Sequence, residues 1–112
     1  MPRVNQLEIE TRRRGSERVI VAPAGEIDLA TAPGLEAALE RAVEEGTEGV
    51  LLDLDQVSFI DSTGLRTVLA ARDRCRERGQ QFEVTEGSGQ VKRLFAITGI
   101  GAQLDVVVGE PD

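Results

Sequence analysis

The chain has no histidine, no tryptophan and no tyrosine, and only one cysteine and three phenylalanines among its 112 residues. Each shortage closes off a chemistry. Without histidine a Ser-His-Asp hydrolase cannot be assembled. A metal would find no imidazole and at most one thiolate, which leaves carboxylates alone, so neither a metal nor another cofactor is expected. Cys75 has no partner in the chain, so no internal disulfide can form, a usage that fits a reducing compartment. No apolar run approaches the roughly 18 residues of a membrane span, and the first residues lack an apolar signal core. The expectation is a cytoplasmic protein that does not enter a membrane, with a core built from aliphatic side chains.

Charge, by contrast, is plentiful: 20 acidic against 13 basic residues, a net −7. That balance argues against nucleic acid, whose binding depends on neutralising phosphates with Lys and Arg. The sign is unevenly spread, because residues 62–78 hold Arg66, Arg72, Arg74, Arg76 and Arg78 against Asp73 and Glu77. Cations late in a helix complement its dipole, so a solvated face explains them; steering of a partner is the alternative. A chain of this length makes one domain, residues 1–112, with one core.

Residues 1–5 read as a loose start. Leu7, Ile9 and Thr11 alternate with Glu8, Glu10 and Arg12 as in a half-buried strand; Gly15-Ser16 makes a turn, and residues 18–22 return as a second strand of a hairpin. Gly25-Glu26-Ile27-Asp28 leads to a helix with Thr31 as N-cap and Pro33 in its first turn. Leu35, Ala38, Leu39, Ala42 and Val43 form its apolar stripe, and Gly46 is expected to end it in the left-handed conformation. Residues 49–53 are apolar on both faces, as in a central strand. A second helix runs through residues 65–78, with Cys75 in the core and Gly79 closing it. Residues 81–85 and 104–108 read as strands, and between them Ser88 caps a third helix whose buried side is marked by Val91, Leu94, Phe95 and Ile97 and which Gly99 stops. The architecture expected is α/β: a mixed sheet of about five strands, the first antiparallel, with three main helices largely on one face.

Between the central strand and the second helix lies Val57-Ser58-Phe59-Ile60-Asp61-Ser62-Thr63-Gly64-Leu65. Its polar knot suits a chain leaving a sheet for a helix, the end of an α/β sheet where ligands and partners are met. Taken alone, Asp61 or Ser62 reads as an N-cap for the following turn. Gly64 is a poor helix former just inside that turn, which suggests close approach of another backbone.

Asp61-Ser62-Thr63-Gly64-Leu65 resembles the signature of STAS domains, the family of the bacterial anti-sigma factor antagonists. Gly25-Glu26-Ile27-Asp28, and Leu94 followed by Thr98-Gly99-Ile100, match the same family in order and spacing, so the resemblance covers about residues 4–108. It implies a phosphoacceptor at Ser62 and a partner-binding surface of Glu26, Asp28, Thr31, Asp61, Thr63, Gly64 and Leu65. Thr63 is the lesser acceptor. The partners implied are an anti-sigma factor that is also a serine kinase, and a serine phosphatase, with the protein a monomer or weak dimer and not an enzyme. A STAS scaffold or accessory subunit, of stressosome or lipid-transport type, is the alternative. A receiver domain phosphorylated on Asp53 ranks lower, since Arg12-Arg13-Arg14 stands where the first strand of a receiver leads into an acidic pair, and Lys92 falls within a helix.

Overall fold

The computed structural model describes residues 7–15, 18–46 and 48–107. The expected loose start, Ser16 of the first turn, and the ends of the family resemblance at Val4 and Val108 lie outside the described residues. The hairpin forms as its alternation requires, β1 (Leu7–Arg14) running antiparallel to β2 (Arg18–Ile27) from Leu7 opposite Gly25 to Arg14 opposite Arg18. The second strand is longer than residues 18–22, because its free edge serves two neighbours in turn. Residues Arg18 to Val21 pair in parallel with β3 (Gly49–Leu52), and Gly25 to Ile27 pair in parallel with β4 (Val57–Ile60). Pro23, which has no N–H to donate, falls between the two pairings.

β5 (Gln81–Thr85) lies beside β3, and β6 (Asp105–Val107) beside β5, both in parallel. Among the described residues the sheet therefore has six strands where about five are expected, in the order β1-β2-β3-β5-β6 with β4 attached to β2. The added strand is β4. It escapes a periodicity argument because a register shift at Gly25/Glu26 leaves its two ends buried and its two middle residues exposed.

Among the described residues three helices join these strands: α1 (Ala32–Glu45), α2 (Ser62–Glu77) and α3 (Gly89–Thr98), the last followed by a 3₁₀ turn (Ile100–Gln103). The apolar stripes of α1 and α2 meet Val19, Val21, Val50, Leu52, Phe82 and Val84 on one face of the sheet, while Val91 and Phe95 of α3 join the same core. Ile20 and Leu51 are buried on the opposite face. There the Arg18 guanidinium passes over Gly49, which has no side chain, to reach Glu83 Oε1 and Gln81 Oε1, each at 2.7 Å.

Four local expectations are corrected. Ser88 occupies the N-cap position of α3 but makes no side-chain cap bond, and Ile97, expected on the buried side of that helix, is 74% exposed. Gly46 has extended backbone (φ −81°, ψ 125°) and is no left-handed cap; a Cβ there would lie 2.5 Å from the Gly49 carbonyl oxygen, so space and not φ demands glycine. Thr31 occupies the N-cap position of α1, but its hydroxyl makes no cap bond there. Gly79 and Gly99, in contrast, do end α2 and α3 with φ of 72° and 73°.

Candidate functional site

The site is built where β4 gives way to α2. The Asp61 N–H donates to the Ile27 carbonyl at 3.2 Å, which extends the pairing with β2 by one residue. Asp61 itself is still extended (φ −113°, ψ −171°), and its Oδ1 accepts the Gly64 N–H at 3.0 Å. Its carbonyl accepts the Leu65 N–H, also at 3.0 Å, and this begins the helix. Asp61 is therefore the N-cap, satisfying one of the free N–H groups of the first turn.

That assignment leaves Ser62 at the first helical position with nothing to hold. It is exposed, and its hydroxyl makes no hydrogen bond among the described residues. Thr63 is half-buried, and its carbonyl accepts the Thr67 hydroxyl at 3.2 Å. Gly64 and Leu65 are buried beneath the turn. A Cβ on Gly64 would lie 2.7 Å from both Ile27 Cγ2 and Ile60 Cγ1. The close approach anticipated at this glycine thus comes from two internal isoleucine side chains and not from a backbone.

The turn after β2 stands directly alongside. Thr31 Oγ1 donates to the Glu26 carbonyl at 2.8 Å and accepts the Asp28 N–H at 2.9 Å, while Asp28 Oδ1 accepts from the N–H groups of Ala30 and Thr31 at 3.0 and 3.1 Å. Asp28 thereby supplies the carboxylate that orders the entry to α1, the work expected of Thr31. Because Ile27 pairs with Ile60 and Glu26 with Phe59, this knot is brought against the Ser62 turn. Glu26, Asp28, Thr31, Asp61, Ser62 and Thr63 are gathered at one end of the sheet, with Gly64 and Leu65 below them.

Three contributors carry no signal in the sequence. Gln90, at the start of α3, donates from Nε2 to the Ile60 carbonyl and accepts the Ile60 N–H at Oε1, both at 2.9 Å. Its amide acts as a one-residue neighbour strand on the edge of β4 that β2 leaves open, and so fixes the residue before the cap. Leu29 and Phe59 are exposed apolar side chains, 75% and 37% accessible, on the two segments that frame the turn. In a sequence they read as ordinary members of an apolar pattern; only the fold puts them outside.

The remaining acidic candidate is spent elsewhere. Asp53 is buried, and its Oδ1 accepts the Asp55 N–H at 3.0 Å and faces the Thr85 hydroxyl at 3.4 Å, which orders the loop after β3. Among the described residues no three carboxylate or thiol groups cluster so as to hold a metal ion. No helix is long and apolar enough to cross a membrane among them.

The sequence and the fold both have known counterparts. A family model of the STAS domain matches residues 8–107. The chain is 36% identical over 102 residues to the anti-sigma-B factor antagonist of Listeria monocytogenes, covering 89% of this chain and 88% of that protein. The structure is similar to the crystal structure of an anti-sigma factor antagonist from Mycobacterium paratuberculosis, with TM-score 0.82, 24% identity, and 95% and 89% of the two chains covered. It is also similar to the Bacillus cell fate determinant SpoIIAA in its phosphorylated form, with TM-score 0.69, 18% identity, and coverage of 90% and 92%.

Proposed function

The chain belongs to the STAS domain family, and from that premise we propose that it is an anti-sigma factor antagonist switched by phosphorylation of Ser62. Unmodified, it binds an anti-sigma factor through the Ser62 turn and the adjoining knot of Glu26, Asp28 and Thr31, and so frees a sigma factor. The anti-sigma factor is also a serine kinase: the γ-phosphoryl group of ATP passes to Ser62 Oγ, ADP leaves, and the hydroxyl proton goes to a base of the kinase. A serine phosphatase returns the protein to its binding form by hydrolysing the ester. On this reading the protein is a binding module and not an enzyme.

One observation carries the proposal. Asp61 takes the capping role, so the Ser62 hydroxyl is exposed and uncommitted at the head of α2. A phosphate there adds about −1.5 to −2 charges. The helix N-terminus tolerates that charge, so the fold survives. A partner packed over the same turn meets a hydrated dianion beside Asp61 instead. A penalty of even about 3 kcal/mol lowers affinity more than a hundredfold. Asp61, Thr63 and Glu26 then contribute the rim that a partner touches, whereas buried Gly64 and Leu65 set the shape of the turn from beneath.

The test is to incubate the protein with ATP and each candidate anti-sigma kinase of its genome, and to locate the added phosphate by mass spectrometry. Ser62→Asp is then titrated against the kinase that modifies the protein. The expected result is phosphate on Ser62, loss of binding in Ser62→Asp with an unchanged melting curve, and retained binding without modification in Ser62→Ala. Binding of Ser62→Asp as tight as that of the wild type would overturn the assignment.

A further inference from the structure

The arginines of α2 are not equivalent. Arg72 is paired with Asp73 at 2.9 Å and also bonds to the Gln103 carbonyl, and Arg74 is paired with Glu40 at 3.1 Å. Arg66 is exposed and makes neither an ion pair nor a hydrogen bond among the described residues. It stands four residues after Ser62, whose hydroxyl is equally exposed and uncommitted. Residues four apart on a helix are neighbours on one face, and helical side chains lean toward the N-terminus. That spacing places Arg66 one turn from Ser62 on the same helix face, with a side chain long enough to reach back to it.

Nothing on its own helix competes for it. The other residues at helical spacing from Arg66 are Thr63, Leu69 and Ala70, none of them acidic. The acids that face the turn from elsewhere are Glu26 and Asp28 after β2 and the cap Asp61. Of these, Asp28 and Asp61 already accept backbone N–H groups. The unmodified protein thus holds a cation beside its candidate phosphoacceptor with no anion bound to it.

We propose that Arg66 is the internal counter-charge of phosphorylated Ser62, engaging the phosphate oxygens one helical turn away. This inference rests on the reading of Ser62 as the modified residue. The guanidinium fork matches two phosphate oxygens at once, a geometry that a lysine ammonium does not reproduce. The pairing gives the modification two effects on the same surface. A dianion appears at Ser62, and the free cation that an incoming partner would have met at Arg66 is withdrawn to neutralise it. It also explains how a phosphate is accommodated beside the Asp61 carboxylate without disturbing the fold.

The experiment installs phosphoserine at position 62 during translation, so that no kinase is needed. The second ionisation of the phosphate is followed by ³¹P NMR in the wild-type background and in Arg66→Gln and Arg66→Lys. At about 20 mM salt the wild type is expected to ionise about 0.3–0.7 pH units lower than Arg66→Gln, the scale of an exposed pair one helical turn apart, with Arg66→Lys between them. The difference shrinks at about 500 mM salt, as a screened surface pair requires. Melting curves of the unmodified variants check that each is folded; Arg66 is exposed and outside the core. Coincident titrations of wild type and Arg66→Gln at low salt would overturn the counter-charge while leaving the Ser62 switch standing. Failure of every kinase to modify Ser62 would overturn the switch but not the measured pairing.

Discussion

At the head of α2 Asp61 takes the cap and leaves the Ser62 hydroxyl uncommitted, and this arrangement depends on the glycine two positions beyond Ser62. Gly64 offers its N–H to Asp61 and at the same time lets α2 settle onto Ile27 and Ile60. Gly64→Ala brings a methyl group to 2.7 Å from Ile27 Cγ2, a rigid branch, and from Ile60 Cγ1, so the start of the helix or the ends of two strands must shift. Overpacking of this kind costs about 1–3 kcal/mol, against about 0.5–1 kcal/mol recovered from better helix propensity. The expected outcome is a lower urea midpoint for Gly64→Ala, with the shortfall traced to the turn by faster amide exchange at Gly64 and Leu65. A midpoint equal to or above that of the wild type would show that the two isoleucines yield freely. That a glycine matters here is visible in the sequence, since it weakens a helix for no local reason. The identity of what approaches it is not, because Ile27 and Ile60 are brought to it by a strand pairing that no local pattern encodes.

At the level of elements, the Ser62 turn is held by three separate pieces of chain. β2 pairs with β4 on one edge, the amide of Gln90 pairs with Ile60 on the other, and the knot after β2 closes the end. Gln90→Leu keeps the bulk of the side chain but leaves the N–H and carbonyl of Ile60 without these partners, at a cost of about 1–3 kcal/mol. Its expected signature is an Ile60 amide that exchanges about tenfold faster or more while the core amides of Val50 and Leu52 keep their relative protection. Unchanged exchange at Ile60 would show that β4 is fixed by β2 alone. α1 is open to a sequence reading because its stripe repeats at the helical period: Leu35, Ala38, Leu39, Ala42 and Val43 are all buried as that period requires. α3 is less so, since Val91 and Phe95 of its expected stripe are buried while Ile97 is exposed. The hairpin was as legible as α1, from its alternation. β4 was not, since it has four residues with a register shift beside it. Gln90 was hidden for a different reason. A glutamine early in a helix is unremarkable until a strand end is found within reach of its amide, and Leu29 and Phe59 likewise become surface features only once the fold exposes them.

Over the whole molecule, the proposed phosphoacceptor and the single cysteine sit at opposite extremes of accessibility on the same helix. Ser62 lies exposed at the head of α2, whereas Cys75, near its other end, is fully buried among core side chains. Burial pushes the Cys75 thiol from its ordinary 9.0 up to about 11, partly opposed by the Arg78 guanidinium. The native thiol therefore stays protonated at neutral pH, where the thiolate needed for reaction is scarce. The same shift links stability to pH. Below about pH 9 native and unfolded chains both carry the proton, and the thiol adds no slope. Between about 9 and 11 the unfolded chain loses a proton that the native state keeps, so stability falls as the pH rises through this window. Urea midpoints measured from pH 8 to 11 should decline across that interval, and more steeply than in Cys75→Ala, whose midpoint starts lower because of the cavity but lacks the thiol's contribution to the slope. A thiol reagent at neutral pH should react only as fast as the protein unfolds. Equal pH slopes in the two proteins, or rapid labelling of the folded chain, would mean that the far end of α2 opens independently, and a phosphate at Ser62 could then no longer be assumed to leave the rest of the helix undisturbed.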